Sequence, residues 1–244
     1  MEAAGAPAKR LEPGRVLSET FAVYRDNLGP LLGSALIVFA IAGLAFALLV
    51  ESDEAVLQAL AVALEFAATA LYTGIVVKLV QDVRDGRRDS TVGDLFSTAT
   101  PAILPLVAFT VLYGLAVVVG FVLLVVPGLI LLTIWSLGPA AIVVERIGPL
   151  KAFGRSRHLV RGNGWSVFLV LFVAGVIAVV AVLLVQALAA AIGDGVAIAY
   201  VGTVAASALT APIAALAVSI MYFELGGQIS DAPQPGSDAP PSAA

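Results

Sequence analysis

The sequence predicts an all-α polytopic membrane protein of six transmembrane helices, with short amphipathic interfacial helices on the cytoplasmic side. Three observations carry this. The chain of 244 residues is 60% hydrophobic and only 12% charged, a composition outside the soluble range that a bilayer tolerates. Six apolar stretches approach or exceed the roughly 20 residues that cross ~30 Å of hydrocarbon at ~1.5 Å per residue. Every lysine and arginine falls in one of three clusters, and these alternate with connections that hold none.

Residues 1–13 are expected to be disordered and 14–225 to form the membrane domain. Leu17, Phe21, Tyr24 and Leu28 recur at four, three and four, the stripe of an amphipathic helix. The first span, 31–50, is too long for the ~7–15-residue apolar region of a signal peptide, so it reads as a retained helix. The second span is 55–80. Val92, Leu95, Phe96 and Ala99 then form another amphipathic stretch before the third span, 103–126. Only Pro127-Gly128, a strong turn dipeptide, separates the third span from the fourth, 129–144, which leaves a tight hairpin or one long broken helix. Charge decides for the hairpin, because a single span would place the third basic cluster across the membrane from the other two. The fifth and sixth spans are 165–192 and 196–223. The tail, 226–244, is rich in proline, serine and alanine and is expected to be disordered.

The clusters are Lys9, Arg10, Arg15 and Arg25; Lys78, Arg84, Arg87 and Arg88; and Arg146, Lys151, Arg155, Arg157 and Arg161. The positive-inside rule therefore places both termini in the cytoplasm of a bacterial-type plasma membrane. In the third cluster Leu150, Phe153 and Val160 fall on one helical face, with Lys151, Arg155 and His158 elsewhere. Two readings follow: a helix lying among lipid headgroups, or a connector helix packed on the bundle. Interfacial helix plus hairpin also recurs three times, an internal repeat stronger in architecture than in letters. Phe21 and Pro30 match Phe96 and Pro105 in spacing, and Tyr24-Arg25-Asp26-Asn27 resembles Val160-Arg161-Gly162-Asn163.

Chemistry is sparse. The chain has no cysteine and one histidine, His158, and lacks a phosphate loop, metal-ligand spacing or nucleophile motif. No catalytic residue, metal or cofactor is expected. The basic clusters are short and tied to spans, which favours membrane lipids, anionic ones in particular, over nucleic acid. Lys151, Arg155, Arg157 and Arg161 are the candidate headgroup contacts, and setting orientation during insertion is the plain alternative. Protein partners are not specified by the sequence, and a homo-oligomer is compatible with it. Glu65 is the one acid near the middle of a span, where it needs a partner or a proton. Thr69 and Tyr72 follow at i+4 and i+7, so the three are expected on one face toward the bundle. That group reads either as a proton- or cation-linked site or as a neutral, hydrogen-bonded structural carboxyl. Pro139 and Pro212 fall inside the fourth and sixth spans, where they free backbone carbonyls.

Val126-Pro127-Gly128-Leu129, Pro139, Glu145, Ala152, Arg155-Ser156, Leu159-Val160 and Gly162-Asn163-Gly164-Trp165 together resemble the membrane-domain family of glycerophosphoryl diester phosphodiesterases and related stand-alone six-span bacterial inner-membrane proteins of unknown function. Val16-Leu17-Ser18-Glu19-Thr20-Phe21 near the start, and Pro212 with Tyr222-Phe223-Glu224 near the end, extend the resemblance over 15–225. The chain departs from the pattern at Arg157-His158, where relatives often place an aromatic residue. In that family a soluble barrel that hydrolyses glycerophosphodiesters with histidine, glutamate and metal sometimes follows the membrane part. With one histidine and no such barrel here, the resemblance implies the membrane part without the activity. The expected role is a non-enzymatic protein supporting membrane or envelope lipid processes, by binding anionic lipids or partner proteins. The alternative is a small-solute or lipid transporter with a site near Glu65.

Overall fold

The computed structural model describes residues 11–50, 52–86, 102–193 and 195–230. Arg87, Arg88 and the stretch Val92, Leu95, Phe96 and Ala99 lie outside the described residues. The chain is an all-α polytopic membrane protein with six helical segments long and apolar enough to cross a bilayer. In order, the helices are α1 (Pro13–Asp26), α2 (Leu28–Val50), α3 (Ala55–Arg84), α4 (Ile103–Leu123), α5 (Val125–Trp135), α6 (Gly138–Glu145), α7 (Pro149–Val160), α8 (Gly164–Ile192) and α9 (Val196–Ser230). Helices α5 and α6 together make the fourth span.

Helices α3 and α9 form the centre. Tyr72, Ile75 and Val76 of α3 and Leu216, Ile220 and Met221 of α9 are fully buried, and α2 lies along both. Tyrosines stitch these neighbours together: Tyr72 donates to the Leu31 carbonyl at 3.2 Å and Tyr200 to the Ala40 carbonyl at 2.6 Å. Such bonds matter in a bilayer because lipid tails are as apolar as leucine, so packing and interhelical hydrogen bonds, not water exclusion, hold helices together. Small residues help in the same way, since a Cβ on Gly202 would stand 2.9 Å from the Ala189 Cβ. Helices α4 and α8 turn apolar side chains outward, among them Val118, Val122, Phe172, Leu183 and Leu188, the surface expected to face lipid.

The turn between the third and fourth spans lies at Leu124, whose backbone is extended, and not at Pro127-Gly128. Proline is tolerated in the first turn of a helix because its missing N–H has no partner there anyway. Gly128 serves packing instead. A Cβ there would sit 2.6 Å from the Phe121 ring, and one on Gly120 would sit 2.9 Å from the Gly128 Cα, so the two glycines let α4 and α5 touch backbone to backbone.

The described chain extends past the expected limits of the membrane domain at both ends. Leu11 is 2% exposed, and its N–H donates to Asn163 Oδ1 at 3.0 Å. This apolar residue just before the proline that starts α1 is held at the junction of α7 and α8. At the other end α9 continues to Ser230, a few residues past the expected boundary at 225, because an established helix extends at little cost through residues that would not nucleate one.

The amphipathic helices α1 and α7 bury faces that only partly coincide with their expected stripes. In α1, Val16 and Thr20 are buried and Leu17 and Tyr24 of the expected stripe pack against the core, while Phe21 and, at the start of α2, Leu28 are 40% exposed. The apolar side of α1 is turned onto α8 and α9. Tyr24 reaches the Leu209 carbonyl at 3.2 Å, in the turn just before Pro212, where the proline ring displaces carbonyls from the helical ladder. Burial raises the Tyr24 phenol above its ordinary range and so keeps it a donor. Helix α9 remains continuous through Pro212.

Candidate functional site

Charged side chains of five helices gather at one end of the bundle. Arg15 pairs with Glu224 at 3.0 Å and Arg84 with Glu19 at 3.1 Å, and the Arg84 guanidinium lies 5.2 Å over the Phe223 ring. Glu145, the last residue of α6, takes two bonds on one oxygen: Arg155 Nε at 2.6 Å and the Tyr222 hydroxyl at 2.7 Å. One carboxylate thus ties α6, α7 and α9 together. Charge-assisted hydrogen bonds of this kind are roughly twice as strong as neutral ones.

The same contacts sort the predicted headgroup residues. Arg155 faces inward and is held by Glu145, so it is removed from any surface site. Lys151, Arg157 and Arg161 are exposed, and none forms an ion pair among the described residues. Helix α7 is packed on the bundle along one side and leaves the other exposed. It buries Ala152, Ser156, Leu159 and Val160, and Phe153 stacks on Phe109 with ring centroids 4.4 Å apart. Leu150 does not share that face and is 76% exposed. The outward stripe thus carries Leu150, Lys151, Gly154, Arg157, His158 and Arg161, with Trp165, also 76% exposed, just beyond it.

Ser156, which sequence reasoning met only as part of a family pattern, sits at the break in the fourth span. Its hydroxyl accepts from the Leu137 N–H at 3.1 Å and donates to the Ile134 carbonyl at 2.8 Å. Both are backbone groups at the interruption between α5 and α6, where helix ends leave N–H and C=O groups without helical partners. The signal that could have found it is the position of a serine four residues after Ala152 on a helix adjoining a proline-broken span.

The intramembrane trio does not assemble. Tyr72 is 1% exposed and bonded to α2. Thr69 is exposed, and Glu65 is half-buried between the two orientations, with no hydrogen bond or ion pair among the described residues. Spacings of four and seven share a broad stripe rather than a point, and the stripe here straddles the edge of the core.

A second cationic feature opens between α3, α4 and α6. It is a cleft of about 260 Å³ lined by Lys78, Gln81, Pro105, Ile142, Val143 and Arg146 among others. Lys78 is held by Asp82 at 2.8 Å. Arg146 follows α6 directly in the left-handed conformation, φ 52° and ψ 38°. Glycine is the usual residue at such a helix end because it adopts this backbone without strain.

Comparison with known proteins places the chain among uncharacterised membrane proteins. A domain of unknown function, DUF7847, matches residues 90–225, which run from before α4 through most of α9. A UPF0259 membrane protein of Pectobacterium carotovorum subsp. carotovorum (strain PC1) is 36% identical over 114 residues, 46% of this chain and 45% of the relative. The alignment thus spans about half the length of that relative. No solved structure matches. Neither match carries the phosphodiesterase name of the resemblance noted above, which stays outside the identification. With more than half its length matched, the chain belongs to the DUF7847 family of membrane domains of unknown function.

Proposed function

We propose that this chain is a non-enzymatic plasma-membrane protein that holds anionic lipid headgroups along the outward stripe of α7. The observation that carries the reading is a division of labour within one helix. Ser156, Phe153 and Arg155 fix α7 to the bundle, and Lys151, Arg157 and Arg161 stand exposed beside Leu150 and Trp165. Exposed aromatic and basic residues at the end of a span are the usual components of a headgroup contact. The resemblance to a membrane domain that accompanies glycerophosphodiester hydrolysis points to the same class of molecule.

Each basic residue near an anionic surface contributes about 1 kcal/mol, and salt weakens the attraction. Purified protein in nanodiscs is expected to enrich phosphatidylglycerol over phosphatidylcholine at low salt. A Lys151→Gln, Arg157→Gln, Arg161→Gln variant is expected to lose most of that enrichment. Equal enrichment by both proteins at low and high salt would reject the reading.

The reading requires α7 and both termini to face the cytoplasm, as the distribution of lysine and arginine supports. Because the chain has no cysteine, single cysteines at Asp53 and Arg157 report orientation directly. A membrane-impermeant thiol reagent should label position 53 in intact cells and position 157 only after lysis. Labelling of 157 in intact cells overturns it.

A further inference from the structure

We infer that the cleft between α3, α4 and α6 is a specific oxyanion site that takes the phosphate of an anionic phospholipid headgroup, one per chain. The inference rests on the lipid-binding reading above, but it concerns separate residues and a different kind of binding: a cleft between helices, not a charged stripe along one.

The polar side chains that line the cleft are donors of hydrogen bonds or can act as donors. Arg146 offers five N–H groups, Lys78 three and Gln81 two, and neither cation can accept. Lys78 is ion-paired with Asp82 at 2.8 Å, and an ammonium carries three donors. Arg146 has no ion pair or hydrogen bond among the described residues. Its sequence neighbour Glu145 is already held by Arg155 and Tyr222, so the exposed Arg146 has no carboxylate partner among the described residues. Among the described residues around the cleft, Lys78 and Arg146 stand against Asp82, an excess of one positive charge. A ligand rich in acceptors and carrying negative charge completes this set, and phosphate oxygens meet both requirements.

Position and walls select the source. Lys78 lies six residues inside the end of α3, and its side chain is 19% exposed, so the cation is drawn in from the surface. Ile142, Val143 and Pro105 supply apolar wall beside the donors. That combination suits a headgroup phosphate with glycerol and acyl carbons attached, and basic pockets between helices at a membrane boundary are a known way of holding anionic lipid. The strained backbone of Arg146 adds to this. An arginine where glycine is the unstrained choice is an outlier of the kind found at ligand sites.

The test uses the full-length protein in detergent and measures binding of short-chain phosphatidylglycerol, short-chain phosphatidylcholine and inorganic phosphate. Wild type should bind about one phosphatidylglycerol per chain and prefer it at least about tenfold over phosphatidylcholine, the order of one charge-assisted hydrogen bond. Arg146→Gln should weaken that binding about tenfold. The Lys78→Gln, Asp82→Asn double variant removes both charges of the pair together, so no buried carboxylate is stranded, and it should weaken binding similarly. The Lys151→Gln, Arg157→Gln, Arg161→Gln variant should leave it within about twofold.

Loss in the cleft variants with retention in the α7 variant supports the site even if surface enrichment in nanodiscs fails. Unchanged phosphatidylglycerol affinity in both cleft variants overturns it, whatever the α7 variant does. Inorganic phosphate competing as tightly as the lipid would uphold the oxyanion chemistry but overturn the lipid as its source.

Discussion

Gly138→Ala is expected to destabilise the protein by about 2 kcal/mol, within the range for overpacking a well-filled core. Replacing a helical glycine by alanine ordinarily gains ~0.5–1 kcal/mol, so the sign of the result is informative. Gly138 opens α6 and is buried; a Cβ there would collide with the Cζ edge of the Phe109 ring. That ring cannot withdraw easily, since it is fully buried and stacked between Phe153 at 4.4 Å and Tyr113 at 5.8 Å. Packing therefore outweighs propensity. Unfolding by denaturant in micelles measures the change, and Phe109→Leu identifies its cause. Alone, Phe109→Leu should cost about 1 kcal/mol as a near volume-conserving swap; combined with Gly138→Ala it should cost clearly less than the sum, because the shortened side chain makes room for the new methyl. Strict additivity, or a gain from Gly138→Ala alone, would show that the ring is not the obstacle.

Much of this architecture is legible in the sequence, and the reasons differ by level. The spans are visible because each satisfies its backbone internally and must be apolar over a fixed length, a constraint that reads one residue type at a time. Glycine and proline are harder. Pro127-Gly128 has the letters of a turn but lies inside α5, because the same pair can start a helix and let it approach its neighbour. The amphipathic faces were read only in part for a related reason, since Leu17 and Tyr24 reach the core but Phe21 and Leu28 do not. The Leu17, Phe21, Tyr24 and Leu28 stripe and the Val16 and Thr20 stripe are about one residue apart in phase, and only the packed bundle chooses between them.

The candidate site was legible in part. Lys151, Arg157 and Arg161 are exposed as expected, whereas Arg155 was not separable from them, since nothing local announces a partnership with Glu145 ten residues earlier. The cleft joins residues 78, 81 and 146, whose nearness depends on how three spans pack. Charge clustering alone assigned Lys78 and Arg146 to two different connections. The conformation of Arg146 likewise appears only in the backbone.

Ser156→Ala is expected to cost about 3 kcal/mol, more than the ~0.6 kcal/mol average of a side-chain hydrogen bond between membrane helices. The difference lies in what is left behind. The hydroxyl serves the Leu137 N–H and the Ile134 carbonyl at once, and Ser156 is fully buried, so alanine would strand a backbone donor and a backbone acceptor where water does not reach. A stranded group of this kind costs ~1–3 kcal/mol, and the two together exceed the bond itself. Ser156→Thr keeps the hydroxyl and adds one methyl, so it should cost less than Ser156→Ala if hydrogen bonding dominates and more if space does. Hydrogen exchange gives an independent reading, because the Leu137 amide should lose protection in the alanine variant ahead of its neighbours. A loss no greater than ~0.6 kcal/mol with that amide still protected would mean the fourth span closes its own ladder when the serine is removed. In that event the break between α5 and α6 would be a consequence of Ser156 and not a property of Gly138-Pro139. The expected larger loss instead shows that the ladder stays open between α5 and α6 and that α7 supplies the partner of the Leu137 N–H and of the Ile134 carbonyl.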